Sequence, residues 1–233
     1  MRVHAVSEQA VQVEFGRDID EALIPVIARA VEAIRAELGA VVIDLIPSYT
    51  TLLCFYDYNQ VDSQWMVREI ARILSAIDTD ESGSIAIDGR LVEIPVWYDL
   101  SVGYDLDALA QQKSLTIAEI VQLHSARDYQ VFAIGFNPGF GFLGALDDRL
   151  VTPRHSTPRR RVPQGSVGIA DAQTAVYPMA SPGGWNIIGR TPRVMFDSSG
   201  LAGQAALLNV GDRVRFVPIS RSEFIERGGQ LDD

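Results

Sequence analysis

The sequence predicts an α+β chain of two domains: a small sheet covered by two helices over residues 1–80, then a turn-rich β half over 85–220. Three observations predict it. Apolar runs in the first part follow the order β-β-α-β-β-α, which suggests a sheet with its helices on one side. An acidic, small-residue segment, Asp78–Ser84 (DTDESGS), follows and reads as a linker. Beyond it come many short apolar runs broken by Gly and Pro, the pattern of a sandwich or a barrel.

Taken in order, Val3–Phe15 alternates apolar and polar residues around Ser-Glu-Gln, as a hairpin does. Glu21–Leu38 places Leu23, Ile27, Ala30, Ile34 and Leu38 at helical spacing, and Gly39 stops it. Val41–Ile46 and Thr51–Tyr56 read as strands parted by Pro47 and Ser48, and Gln64–Ile77 as a second amphipathic helix. After the linker, Ile85–Ile87 and Leu91–Trp97 suggest a hairpin across Asp88-Gly89. Leu106–Gln112 and Thr116–Ser125 are short helices, the second opened by a capping box of Thr116 and Glu119. Tyr129–Phe136 is an apolar strand, and Ser166–Ile169, Arg193–Phe196 and Arg213–Val217 are shorter ones. Residues 221–233 read as a polar, frayed tail.

Composition narrows the function. The 233 residues carry a formal net charge of −10 and are 47% hydrophobic, which supports a proper core and argues against nucleic acid as a partner. No run approaches the ~20 apolar residues of a membrane helix, and Met1–Ala10 lacks the apolar core of a secretory signal, so a cytoplasmic location is expected. Cys54 is the single cysteine and sits in a strand-like run, TLLCFY. His4, His124 and His155 lie far apart without metal-ligand spacing, and no protein-bound metal is expected. Lys113 is the sole lysine; GxxxxGK[ST] and G-x-S-x-G are both missing. Any phosphate contact therefore falls to arginine or to backbone amides.

The densest segment is 132–190. Gly135, Gly139, Gly141 and Gly144 alternate with Phe136, Phe140 and Phe142 around Asn137-Pro138, and Pro182-Gly183-Gly184-Trp185 follows later. Such glycines serve barrel corners or tight turns; as a group they suggest the wall of a pocket whose bare N–H groups meet a small anionic or amide ligand. Trp185 fits either the core or a stacking platform. His124 shares the apolar face of its helix with Ile117 and Ile120, and reads either as a hydrogen-bonded core histidine or as a general acid–base. Arg154, Arg159, Arg160 and Arg161 crowd into TPRHSTPRRR: a solvated loop, an interface for an acidic partner, or a carboxylate or phosphate site with Arg161 as its leading member. Gln173 and Thr174 suit either a turn or recognition of a lactam or urea group, since an amide offers both donor and acceptor.

FAIGFNPGFGFLG, TPR at Thr152–Arg154, RRRVPQGSVGIA, QTAVYPMASPGGWNIIGRTP and LHS at Leu123–Ser125 together resemble the family of 5-oxoprolinase B subunits, also called KipI-type kinase inhibitors or allophanate hydrolase subunit 1. The resemblance runs through nearly all of the C-terminal half. It implies a cyclophilin-like barrel there, and a subunit of an ATP-dependent enzyme that opens 5-oxoproline to glutamate. The C and A subunits of 5-oxoprolinase are the implied partners, ATP with Mg2+ the implied cofactor, and the chain alone is expected to be inactive. The implied catalytic residues are His124 and Gln173. Phe136, Asn137, Pro138, Gly139, Phe140, Arg161, Thr174, Gly183, Gly184 and Trp185 are the implied substrate or ATP contacts. Two other roles follow from the same resemblance: inhibitor of a sensor histidine kinase, and a urea or allophanate carboxyltransferase-type module. The chain departs from the family's Gly-Gly-Gln-Thr at Asp171-Ala172-Gln173-Thr174, and Asn137 stands where Ala is more usual.

Overall fold

A computed structural model describes residues 1–20, 22–79, 89–199 and 205–231. By its contacts the chain divides into two compact units, Met1–Asp88 and Gly89–Asp233.

In the first unit, β1 (Arg2–Ser7) and β2 (Ala10–Glu14) form the expected hairpin, followed by α1 (Leu23–Leu38), β3 (Val42–Ser48), β4 (Thr51–Tyr56) and α2 (Ser63–Thr79). The strands pair antiparallel in the order β1-β2-β4-β3. Alternate residues of β4, Leu52, Cys54 and Tyr56, point inward, as the two-residue period of a strand requires. They meet Ile34 and Leu38 of α1 and Met66, Ile70 and Ile73 of α2 in one apolar cluster. Pro47 does not end β3 as expected. It pairs with Leu52 inside the strand, and Tyr49-Thr50 make the turn instead, with Tyr49 at φ 27°.

The second unit begins with β5 (Leu91–Val96), then α3 (Leu106–Lys113), α4 (Ile117–Ser125), β6 (Asp128–Ile134) and β7 (Gly141–Gly144). It continues through β8 (Arg159–Val162), β9 (Ser166–Ala170), β10 (Gln173–Val176), β11 (Ser181–Gly183), β12 (Asn186–Arg190), β13 (Arg213–Pro218) and α5 (Arg221–Glu226). Its main sheet runs β5-β13-β6-β7-β10-β9-β12 and is antiparallel except for the β5–β13 pair. Trp97, just past β5, exchanges backbone hydrogen bonds with Arg190 at the end of β12, at 2.9 and 3.0 Å. A separate small ladder joins β8 to β11. The core contains Ile94, Val131, Leu143, Ile169, Ile188 and Phe216, and α3 and α4 add Leu106, Leu109 and Ile120. The capping box at Thr116 forms as read, with its side chain accepting from the Glu119 amide.

Several expectations need correction or fall outside the description. The linker residues 80–84 and the strand Ile85–Ile87 lie outside the described residues, and β5 finds a parallel partner in β13. Arg193–Phe196 is not a strand. The Arg193 amide donates to the Thr191 hydroxyl rather than to a neighbouring strand, and only Phe196 bridges, to Ala206. Residues 221–226 form α5 instead of a frayed tail. Ser220 and Glu223 cap one another there, and Phe224 is buried against Trp97, so the turn has both a start signal and an anchor. Among the described residues no helix is long and apolar enough to cross a membrane.

Candidate functional site

The glycine-rich segment folds into a tight loop between β6 and β7. The Gly135 amide donates to the Phe140 carbonyl at 3.1 Å, the Phe140 amide to that of Asn137 at 3.0 Å, and the Asn137 amide to that of Gly135 at 2.8 Å. Gly139 sits at φ 79° with its α-carbon against Met195 and Phe196, so a side chain there is excluded on both counts. Phe136 is the unusual member. It adopts φ 68°, a left-handed conformation that bulky residues rarely take, and the residue is 64% exposed. The neighbouring Asn137 Nδ2 is a buried donor without an acceptor among the described residues.

Behind this loop lies a cavity of about 350 Å³. Phe136, Phe140, Phe142, Tyr177 and Trp185 line it together with Pro158, Pro182, Gly183 and Gly184, and Arg154 and His155 complete the lining. The rings are arranged edge to face: Phe140 meets Tyr177 at 5.3 Å and 86°, and Trp185 at 5.7 Å and 87°. The Arg154 guanidinium stands over the Trp185 ring, 5.7 Å from its centroid, and its Nε lies 3.4 Å from Asp171 Oδ2. The sequence suggested walls of bare backbone. The walls are instead mostly rings, and bare backbone enters mainly at Gly183 and Gly184. Gly183 is required because a β-carbon there would overlap the Tyr177 ring.

A buried carboxylate organises one side of the cavity. Asp105, 6% exposed at the start of α3, accepts from the Ile187 amide of β12 at 2.7 Å, from Arg159 Nη2 at 2.6 Å and from His155 Nε2 at 3.1 Å. The His155 amide donates to the Gly184 carbonyl at 2.7 Å. These bonds fix the 153–159 segment against β12 and so place Arg154 at the cavity.

The residues expected to act together are not gathered in one place. Phe136, Phe140, Gly183, Gly184 and Trp185 line the aromatic cavity, with Asn137, Pro138 and Gly139 in the loop beside it. Arg161 lines a different, polar cavity of about 290 Å³, together with Gln164, Arg190 and Arg193. Gln173 begins β10, paired with Ala170. His124 and Thr174 are fully buried and lie elsewhere again. Thr174 Oγ1 donates to the Gly168 carbonyl at 3.1 Å and therefore accepts from His124 Nε2 at 2.8 Å; His124 Nδ1 is left to accept from the Tyr98 hydroxyl at 2.7 Å. The ring stacks on Phe216 at 4.4 Å. Burial holds the imidazole neutral and pushes its pKa down to about 3. A neutral ring with both nitrogens committed and no exposed atom is suited to joining α4, β10 and the Tyr98 segment. His155, Asp105 and Tyr177 were not singled out from the sequence as site residues, and Arg154 was named only within the basic run, behind Arg161. The one available signal was the basic run Arg154–Arg161 in an otherwise acidic chain.

The family model of the carboxyltransferase domain, subdomain C and D, matches residues 1–207. The chain belongs to that family. Among curated members it is similar to the 5-oxoprolinase B subunit of Bacillus subtilis, 34% identical over 96% of this chain and 95% of the relative. It is also similar to the 5-oxoprolinase B subunit of Escherichia coli O157:H7, 46% identical over 60% of this chain and 63% of that one. Among solved structures, the crystal structure of TTHA0988 superposes with a TM-score of 0.79 at 30% identity over 97% of this chain, which spans only 41% of that longer molecule. This carboxyltransferase-domain chain has its aromatic cavity built from the segments that carried the resemblance: GFNPGF, TPR and PGGW. Among the described residues no group of three or more His, Cys, Asp and Glu is arranged to hold a metal ion.

Proposed function

We propose that the chain is the B subunit of an ATP-dependent 5-oxoprolinase-type complex that opens 5-oxoproline to glutamate and is active only with its partners, the C and A subunits. The observation that carries this reading is the similarity to the Bacillus subtilis B subunit across 95% of that relative, with three of the resemblance motifs, GFNPGF, TPR and PGGW, lining one cavity. We read the second unit as a cyclophilin-like barrel, because the Trp97–Arg190 bridge links the two outer members of its main sheet.

In this reading the aromatic cavity receives the lactam ring. Its rings exclude water from the amide, which strengthens every polar contact made there. The lactam carbonyl is resonance-stabilised, and ATP with Mg2+ supplies the phosphoryl group that activates its oxygen. The chain has no lysine-based phosphate loop, so arginine is its means of meeting phosphate oxygens. Arg161 and Arg193, at the polar cavity, are suited to part of that task, and the remainder of the nucleotide site falls to a partner in the complex. The greater length of TTHA0988 supports a partner-dependent site, since there the matching segment is continuous with further chain.

The test is coexpression with candidate A and C subunits and assay of glutamate release from 5-oxoproline and ATP. Release by the complex and none by the chain alone is expected. A well-assembled complex that hydrolyses no 5-oxoproline refutes the proposal.

A further inference from the structure

Among the described residues, Arg154 is the one permanently charged group lining the aromatic cavity, and no carboxylate lines it. Its guanidinium is positioned against the Trp185 face, so a cation is presented at the wall without having to be gathered from solvent. Its anionic neighbour, Asp171, lies outside the lining. That pair is loose: Nε to Oδ2 is 3.4 Å, and both side chains are more than half exposed, at 54% and 62%. An exposed ion pair of this kind holds weakly, whereas a carboxylate that pairs side-on with an arginine fork beside an apolar wall holds more strongly. Asp171 therefore competes with a ligand anion but does not occupy its place.

We propose that Arg154 is the specificity-determining anion anchor of the aromatic cavity, selecting a small cyclic amide that carries a carboxylate over a neutral amide, with Asp171 as an internal competitor. This rests on the reading of the cavity as the lactam site. Ring faces take the apolar methylenes of a five-membered ring, and the guanidinium takes its carboxylate. Arg154 would thus set what enters, separately from whatever group performs the chemistry.

The experiment compares 5-oxoproline with 2-pyrrolidinone, the same ring without the carboxylate, by calorimetric titration of the full chain and of its complex with the A and C subunits. The wild type is expected to prefer 5-oxoproline by about tenfold or more. Arg154→Ala should reduce that preference to within about twofold while leaving pyrrolidinone binding little changed, and Arg154→Lys should keep part of it. Asp171→Asn should tighten 5-oxoproline about two- to fivefold and leave pyrrolidinone alone. Equal loss of both ligands in Arg154→Ala indicates a structural role and overturns the proposal. So does an unchanged preference, or a wild type that binds neither ring in either format. Glutamate release reports on the functional reading separately. Unaltered release by the Arg154→Ala complex at limiting 5-oxoproline sinks the anchor and leaves the function. A wild-type complex that releases none, yet keeps the carboxylate preference, sinks the function and leaves the anchor.

Discussion

His124 makes the stability of the second unit depend on pH in a calculable way. Its imidazole is buried, accepts from Tyr98, donates to Thr174, and has a pKa pushed from 6.5 to about 3 by burial. A depressed folded pKa means that the unfolded chain takes up a proton first as the pH falls. The stabilisation is present above about pH 6.5 and is lost progressively toward pH 3. Each pH unit in that window costs about 1.4 kcal/mol, so lowering the pH from 7 to 5 removes about 2 kcal/mol through this one group. The assay is urea unfolding at pH 7 and pH 5 for the wild type and for His124→Gln, whose amide does not titrate. The variant loses ground at pH 7 because its shape disturbs the Tyr98 and Thr174 bonds, but the difference between variant and wild type should shrink by about 2 kcal/mol at pH 5. Carboxylates that titrate in the same range are common to both proteins and cancel. If the difference is the same at both pH values, His124 is not held neutral as its surroundings require, and the reasoning fails.

Other outcomes follow from single contacts. Asp105→Ala leaves the Arg159 cation and the Ile187 amide without their buried acceptor and is expected to cost about 3–5 kcal/mol, read as a lower urea midpoint. Gly183→Ala should cost about 1–3 kcal/mol because the added methyl overlaps Tyr177, and it should weaken ligand binding at the aromatic cavity. Cys54 is fully buried, and burial pushes its thiol up to about 12, so it should resist a disulfide reagent in buffer and react only when denaturant is added.

Elements with a local cause were legible in the sequence. The helical spacing over 23–38, the Thr116–Glu119 box and the Gly-Pro-aromatic run each state their own structure within a few residues, and each formed. The site was legible as a segment but not as a constellation. Arg154 and Arg161 sit in one basic run, yet they line separate cavities, because the chain bends at 156–157 and Arg161 then lies within β8. Nothing near Asp105 in the sequence announces that it will hold His155 and Arg159, which are 50 and 54 positions away. His124 shows the limit from the other side: its apolar helix face established that it points inward, but both of its ring partners, Tyr98 and Thr174, come from other elements.

Asp171 joins the two kinds of information. The resemblance places glycine there, and the backbone keeps the conformation that glycine serves best, with Asp171 at φ 52° and its amide and carbonyl still paired with Thr152. Asp171 thus combines a left-handed backbone conformation with a carboxylate beside Arg154. Two substitutions separate these effects, since both remove the carboxylate and only one relieves the backbone. Asp171→Gly should be more stable than Asp171→Ala by about 1 kcal/mol, because alanine gains nothing in the left-handed region while glycine does. Thermal unfolding of the pair measures it directly. Equal melting temperatures would mean that the turn abandons positive φ when the side chain shrinks, and that Asp171 itself, rather than the Thr152 pairing, dictates the local path.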